Sequence, residues 1–193
     1  WWKVIASGPG GHSLRGGLPN VNQAIGRSVD QILQLPHPKE HADERAVINI
    51  SMLNSGAVYN HKPETGWFSL DIRSMDGAIV EDIEQNVAGI LKQVASDTQI
   101  ELEMEPFQLT PGGQIPGARE SVLVTTAEAI SKHLGFEEVR VSNMGSSNMN
   151  VAIGGGTPAI GLGGGRGGRR GYPDEWADIP VMLRTAKHVL LLA

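Results

Sequence analysis

The chain has 193 residues, 40% hydrophobic and 19% charged, which suits one large or two small domains with a real core and excludes a polar disordered chain. Its 16 Lys and Arg against 21 Asp and Glu give a formal charge of -5, which argues against nucleic-acid binding through a diffuse positive field. With no cysteine, disulfides, thiolate metal clusters and a Cys nucleophile are excluded; the usage favours a reducing, cytoplasmic setting, and any metal would need His and carboxylates.

The chain opens at Trp1-Trp2 without Met and runs directly into strand-like sequence, so an upstream segment is expected. Trp2, Val4 and Ala6 alternate with Lys3 and Ser7 nearby, predicting a strand that stops at Gly8-Pro9-Gly10-Gly11. After Asn20 as N-cap, Val21, Ile25, Val29 and Ile32 recur at helical spacing, predicting a helix to about Leu35, ended by Pro36 and Pro38. Ile48, Ile50 and Met52 predict one strand; Phe68, Leu70 and Ile72, alternating with Trp67, Ser69, Asp71 and Arg73, predict another. Ile79, Ile83, Val87, Ile90 and Val94 form a helical stripe. Ile100, Leu102 and Met104 then alternate with Glu101, Glu103 and Glu105, a strand with three acids on its open face.

That order, βαββαβ, is the ferredoxin-like pattern, an antiparallel four-stranded sheet with both helices on one face. Unprotected sheet edges predict pairing with a second copy. Turn formers from Thr110 to Gly117 mark a boundary, giving domains 1-108 and 109-193. Beyond it, Leu123, Ala127, Ile130 and Leu134 predict a helix, Val139 and Val141 a short strand, Ala159, Ile160 and Leu162 an apolar strand, and Ile179 to Leu192 a closing helix. Alternating helix and strand predicts an α/β segment, and two short strands make it an incomplete one. The uncharged run from Val141 to Gly165 is no membrane span, because Ser142, Asn143, Ser146, Ser147, Asn148 and its glycines are poor lipid solutes.

Three places could carry chemistry. Gly8-Pro9-Gly10-Gly11-His12-Ser13 can project an imidazole from a tight turn, although an exposed loop His is equally ordinary on spacing alone. His37, Glu40, His41, Asp43 and Glu44 look like a zinc clip, but Pro36 and Pro38 forbid the regular helix it would need, so a solvated linker is favoured. Gly154 to Gly171, with Arg166, Arg169 and Arg170, fits neither a Walker loop nor a dinucleotide fingerprint, and an active-site-type loop holding a carboxylate or phosphate is favoured over an RNA binder. No nucleophile-elbow motif is present.

Gly8-Pro9-Gly10-Gly11-His12-Ser13, followed by Asn60-His61-Lys62-Pro63 and Asp71-Ile72-Arg73, resembles the dimerisation or lid domain of the di-zinc peptidase and deacylase family. That family includes acetylornithine deacetylase, succinyl-diaminopimelate desuccinylase, carboxypeptidase G-type enzymes and tripeptidases. Gly145-Ser146-Ser147-Asn148-Met149-Asn150, Gly154-Gly155-Gly156-Thr157-Pro158-Ala159 and Gly171-Tyr172-Pro173-Asp174-Glu175-Trp176 resemble the closing part of its catalytic domain. The resemblance implies hydrolysis of peptide or N-acyl amino acid amide bonds, two zinc ions in the complete enzyme, and a homodimer formed through the lid. It implies that His12 stabilises the oxyanion in the partner's active site and that Asn60, Arg73 and Asn150 bind substrate. Two departures stand out: Asn148 replaces an acid, and Gly171 stands where the family has a zinc-binding His. Glycine cannot ligate, so this chain alone is expected to bind no zinc and to be inert, either as part of a hydrolase or as a non-catalytic dimerising or carboxylate-binding module.

Overall fold

The computed structural model describes residues 1–38, 45–136, 139, 141, 146–163 and 166–193. The chain forms two compact units, Trp1–Gly112 and Gly113–Ala193.

The first unit begins with β1 (Trp2–Ser7) and the short β2 (Gly11–His12). α1 (Val21–Leu33) follows, with the Asn20 side chain accepting from the Asn22 N–H at 3.0 Å. Next come β3 (Ala46–Asn49), β4 (Leu53–Ser55), β5 (His61–Lys62) and the ten-residue β6 (Thr65–Ser74). α2 (Gly77–Thr98), capped by Asp76, leads to β7 (Glu101–Pro106). The sheet order is β3-β6-β1-β7, with β4 also on β6, and every pairing is antiparallel. This is the ferredoxin-like arrangement expected from the βαββαβ order.

Alternation decides what is dry. Val4, Ala6, Phe68, Leu70 and Ile72 point to one face and are buried against Val21, Ala24, Ile25 and Ile32 of α1 and Ile83, Val87, Leu91 and Val94 of α2. Each such side chain contributes about 1.5–3 kcal/mol. The other face is polar and partly exposed: Lys3 Nζ lies 5.2 Å from the Trp67 ring centroid and the Arg73 guanidinium 5.5 Å from that of Trp1.

The strand predicted through Ile48, Ile50 and Met52 is interrupted. Asn49 stands opposite Asp71 and Leu53 opposite Phe68, so Ile50, Ser51 and Met52 face only Leu70 and Ser69. The extra residue makes a bulge. Ser69 bridges it: its Oγ accepts from Met52 N at 2.9 Å and from Ser51 N at 3.3 Å, while its own N–H donates to Met52 O at 2.9 Å. Thus the edge formed by β3 and β4 is curled rather than smooth, and the opposite edge, β7, carries exposed Glu101, Glu103 and Glu105.

In the second unit, a 3-10 turn (Ala118–Glu120) precedes α3 (Val122–His133), and α4 (Met149–Gly154), β8 (Gly167–Gly168), β9 (Trp176–Ala177) and α5 (Ile179–Leu192) follow. α3 and α5 pack on Val124, Ala127 and Val181, with Ser131 and His188 buried beside them. Ser121 and Asp178 cap the two helices. Of the two short strands predicted here, the run Ala159 to Leu162 belongs to no ladder, while the one through Val139 and Val141 falls largely outside the described residues. An apolar run becomes a strand only beside a neighbour that takes up its backbone N–H and C=O groups, and no described segment of this unit does so. α5 leaves Ile179, Met182, Leu183 and Leu190 more than half exposed.

Two glycines should respond to the same methyl group with opposite signs. Gly26, in α1, has nothing within 4 Å of a built Cβ, so Gly26→Ala should stabilise by about 0.5–1 kcal/mol through helix propensity. At Gly66 the methyl would lie 2.6 Å from Ser55 Oγ and 2.7 Å from Ile25 Cδ1, so Gly66→Ala should destabilise. Denaturant midpoints of both variants at unchanged m-value check the pair.

Candidate functional site

His12 is positioned by backbone pairing. β1 ends at Ser7, opposite Thr65, and the chain turns through Gly10 and Gly11 at φ of 59° and 124°, conformations that glycine adopts without strain. β2 then pairs antiparallel with β5, Gly11 opposite Lys62 and His12 opposite His61. Ser13 N donates to Asn60 O at 2.8 Å, which closes the two loops on each other. The half-buried His12 ring has the Leu14 N–H donating to Nδ1 at 3.2 Å and Asn60 Nδ2 3.0 Å from Nε2. The His61 ring stands at 76° to it with centroids 5.6 Å apart. His12 and Asn60, named separately from the sequence, are therefore brought together.

Arg73 sits elsewhere. It lies at the far end of β6, eight residues beyond Thr65, a span of about 26 Å at the rise of an extended strand. Its Nε donates to both oxygens of Asp71, at 2.8 and 3.0 Å. That hydrogen bond raises the guanidinium's already high pKa, with partial burial opposing it and the Asp71 charge adding to it, so the group is a permanent cation. The guanidinium also lies over the Trp1 ring, so Arg73 is held on the polar face of the sheet by both an ion pair and a cation–π contact. Arg73 is thus tied to an acid of its own strand.

In the second unit, Asn148 precedes α4 without a side-chain capping bond, and Asn150, in the first turn, accepts from Ser147 N at 2.9 Å through Oδ1. Gly171 has φ of 80°, and its N–H donates to Glu175 Oε2 at 3.1 Å. The arginine loop is a small hairpin, β8 on β9. Arg169 donates from Nε to both Asp174 oxygens at 3.1 Å and lies 4.5 Å from the Tyr172 ring centroid, and Arg166 is 3.9 Å from Asp178. Two of the three arginines are thus tied to acids of their own hairpin. His37 Nδ1 donates to Leu35 O at 2.8 Å; Glu40, His41, Asp43 and Glu44, like Gly145, lie outside the described residues.

Among the described residues, no three His, Asp or Glu side chains converge as a metal site. Gly171 offers no donor side chain, and the Asn148 amide brings no charge to offset a dication. The described residues do not fit a two-zinc centre. Sequence reasoning missed the groups that orient His12, namely Leu14 N–H and the β2–β5 pairing. Two-residue strands carry no periodicity, and two motifs 48 residues apart give no sequence signal of their pairing.

No protein-family model and no curated protein matches the sequence. Solved structures do. A tripeptidase from Staphylococcus aureus superposes with a TM-score of 0.73 at 18% identity, covering 99% of this chain and 49% of that one. The aminopeptidase PepT from Bacillus cereus gives 0.69 at 15% identity, covering 99% and 50%. An amidase of the hydantoinase/carbamoylase family from Burkholderia vietnamiensis gives 0.66 at 15%, covering 100% and 46%. The resemblance drawn from the motifs holds at the level of fold over nearly the whole chain, and the chain spans about half the length of these peptidases and amidases. No described helix is long and apolar enough to cross a membrane.

The β8–β9 hairpin has no room for a side chain at Gly167, where a Cβ would lie 2.7 Å from Trp176 O. Gly167→Ala should open it and speed amide exchange at Gly168 and Trp176 while leaving α3 and α5 protected, as hydrogen exchange can read.

Proposed function

We propose that this chain is the lid and the closing catalytic-domain part of a metal-dependent, zinc-type exopeptidase or amidohydrolase that cleaves peptide or N-acyl amino acid amide bonds. The peptidase and amidase folds it resembles support the reading, as does the order of its motifs. The observation that carries it is the division of labour along β6: His12 with Asn60 beyond one end and Arg73 at the other, too far apart to touch one small substrate. A homodimer through the lid resolves this separation. His12 and Asn60 of one protomer and Arg73 of its partner then face the same molecule, Arg73 holding its carboxylate and His12 donating to the oxyanion that develops at the amide carbonyl. Asn150, in the second unit, is a further substrate-binding candidate of the same reading. The zinc ions of such an enzyme would be held by residues other than those described, and a cytoplasmic setting belongs to the same reading. The apolar side chains bared on α5 suit a helix that packs against further layers of a larger α/β domain.

Gly171 and the missing donor set favour one rival, a non-catalytic dimerising or carboxylate-binding module. The coding sequence next to this chain separates the two, because only the hydrolase needs a metal-binding half there.

The purified chain supplied with zinc should turn over neither N-acyl amino acids nor di- and tripeptides; robust turnover abolished by a chelator would show that it holds a working metal site. In a product extended to include the metal-binding half, His12→Ala should lower kcat by about 10²–10³-fold, as loss of an oxyanion donor does, and Arg73→Ala should chiefly raise KM. Normal kinetics in both variants would overturn the assignment. Sedimentation should show a dimer, and a concentration-independent monomer would count against the shared site.

A further inference from the structure

We infer that the backbone N–H of Leu14 fixes His12 in the tautomer that carries its proton on Nε2, so the neutral ring offers a hydrogen-bond donor, not a base, at the atom beside Asn60. The argument is one of proton inventory. A backbone N–H can only donate, so the contact from Leu14 N to Nδ1 at 3.2 Å requires a lone pair on Nδ1. A neutral imidazole has one ring proton, and with Nδ1 acting as acceptor that proton is on Nε2.

The Leu14 N–H is itself held in place. Ser13 N donates to Asn60 O at 2.8 Å on one side of it and Arg15 N to His12 O at 2.9 Å on the other, so the turn after β2 is pinned at both flanks. The Asn60 amide then has a defined role. As placed, Nδ2 lies 3.0 Å from Nε2, and an amide N–H can only donate, so it does not match a protonated Nε2; exchanging the amide's O and N by a half-turn puts Oδ1 there, the acceptor this tautomer needs. The edge-to-face contact of the His61 ring needs no proton from His12. Leu14 is thus a positioning residue acting through its main chain, and Asn60 keeps the donor occupied until a ligand oxygen takes its place.

The consequence rests on the oxyanion reading: His12 serves as a neutral donor and needs no acid to charge it. The tautomer itself stands apart from that reading. Long-range proton–nitrogen correlation spectra of the labelled chain, at a pH where its imidazoles are neutral, should show His12 with a pyridine-type Nδ1 and a pyrrole-type Nε2. Leu14→Pro, which deletes the donor, should let the two tautomers mix, with His61 unchanged as a control in the same spectrum. Asn60→Ala should keep the native pattern. A pyrrole-type Nδ1 in the native chain, or a tautomer that changes in Asn60→Ala, would overturn the inference, and these two spectra decide it even if Leu14→Pro does not fold. An extended enzyme indifferent to His12→Ala would overturn the oxyanion role and leave the tautomer standing.

Discussion

One strand organises the first unit. β6 is central, hydrogen-bonded to β1 on one side and to β3 and β4 on the other, and its even-numbered side chains bury Phe68, Leu70 and Ile72 under both helices. The two-residue period of an extended chain then leaves Trp67, Ser69, Asp71 and Arg73 no choice of face. Everything polar in the unit inherits its place from that constraint. Ser69 reaches across to the bulge, Asp71 meets Arg73, and the length of the strand sets how far Arg73 lies from the His12 turn. A slip of one residue would exchange the two faces and dismantle both the core and the arginine pair.

This dependence explains what could be read from residues alone. Strong periodicity marked β1, β6, β7, α1 and α2, and those elements occur where alternation and helical spacing put them. The helix predicted to Leu35 ends at Leu33, just ahead of Pro36. Ile48 to Met52 read as one strand because alternation cannot register an extra residue whose backbone is satisfied by a serine side chain from the neighbouring strand. The pairing of His12 with Asn60 was illegible for a related reason: it is made by main-chain bonds between two loops 48 residues apart, and such bonds leave no mark in side-chain identity.

The second unit shows the limit of local reading. Ala159 to Leu162 has the composition of a strand, yet strand formation is a property of pairs. The helices α3 and α5, whose backbone bonds are internal, form where the sequence put them. What they lack is cover: a buried Val124, Ala127 and Val181 make a small core, while much of α5 remains apolar and exposed. Gly171 belongs to the same lesson. Its φ of 80° is a backbone shape, invisible to side-chain patterning, in which a side chain would be strained.

The two borders of the first sheet carry different guards, a serine-bridged kink on one rim and a row of acids on the other. Such rims resist the unlimited lateral growth that smooth, uncharged ones invite. A second copy approaching either rim finds no smooth, uncharged strand to extend, so the fold itself works against end-to-end growth into a lengthening ribbon.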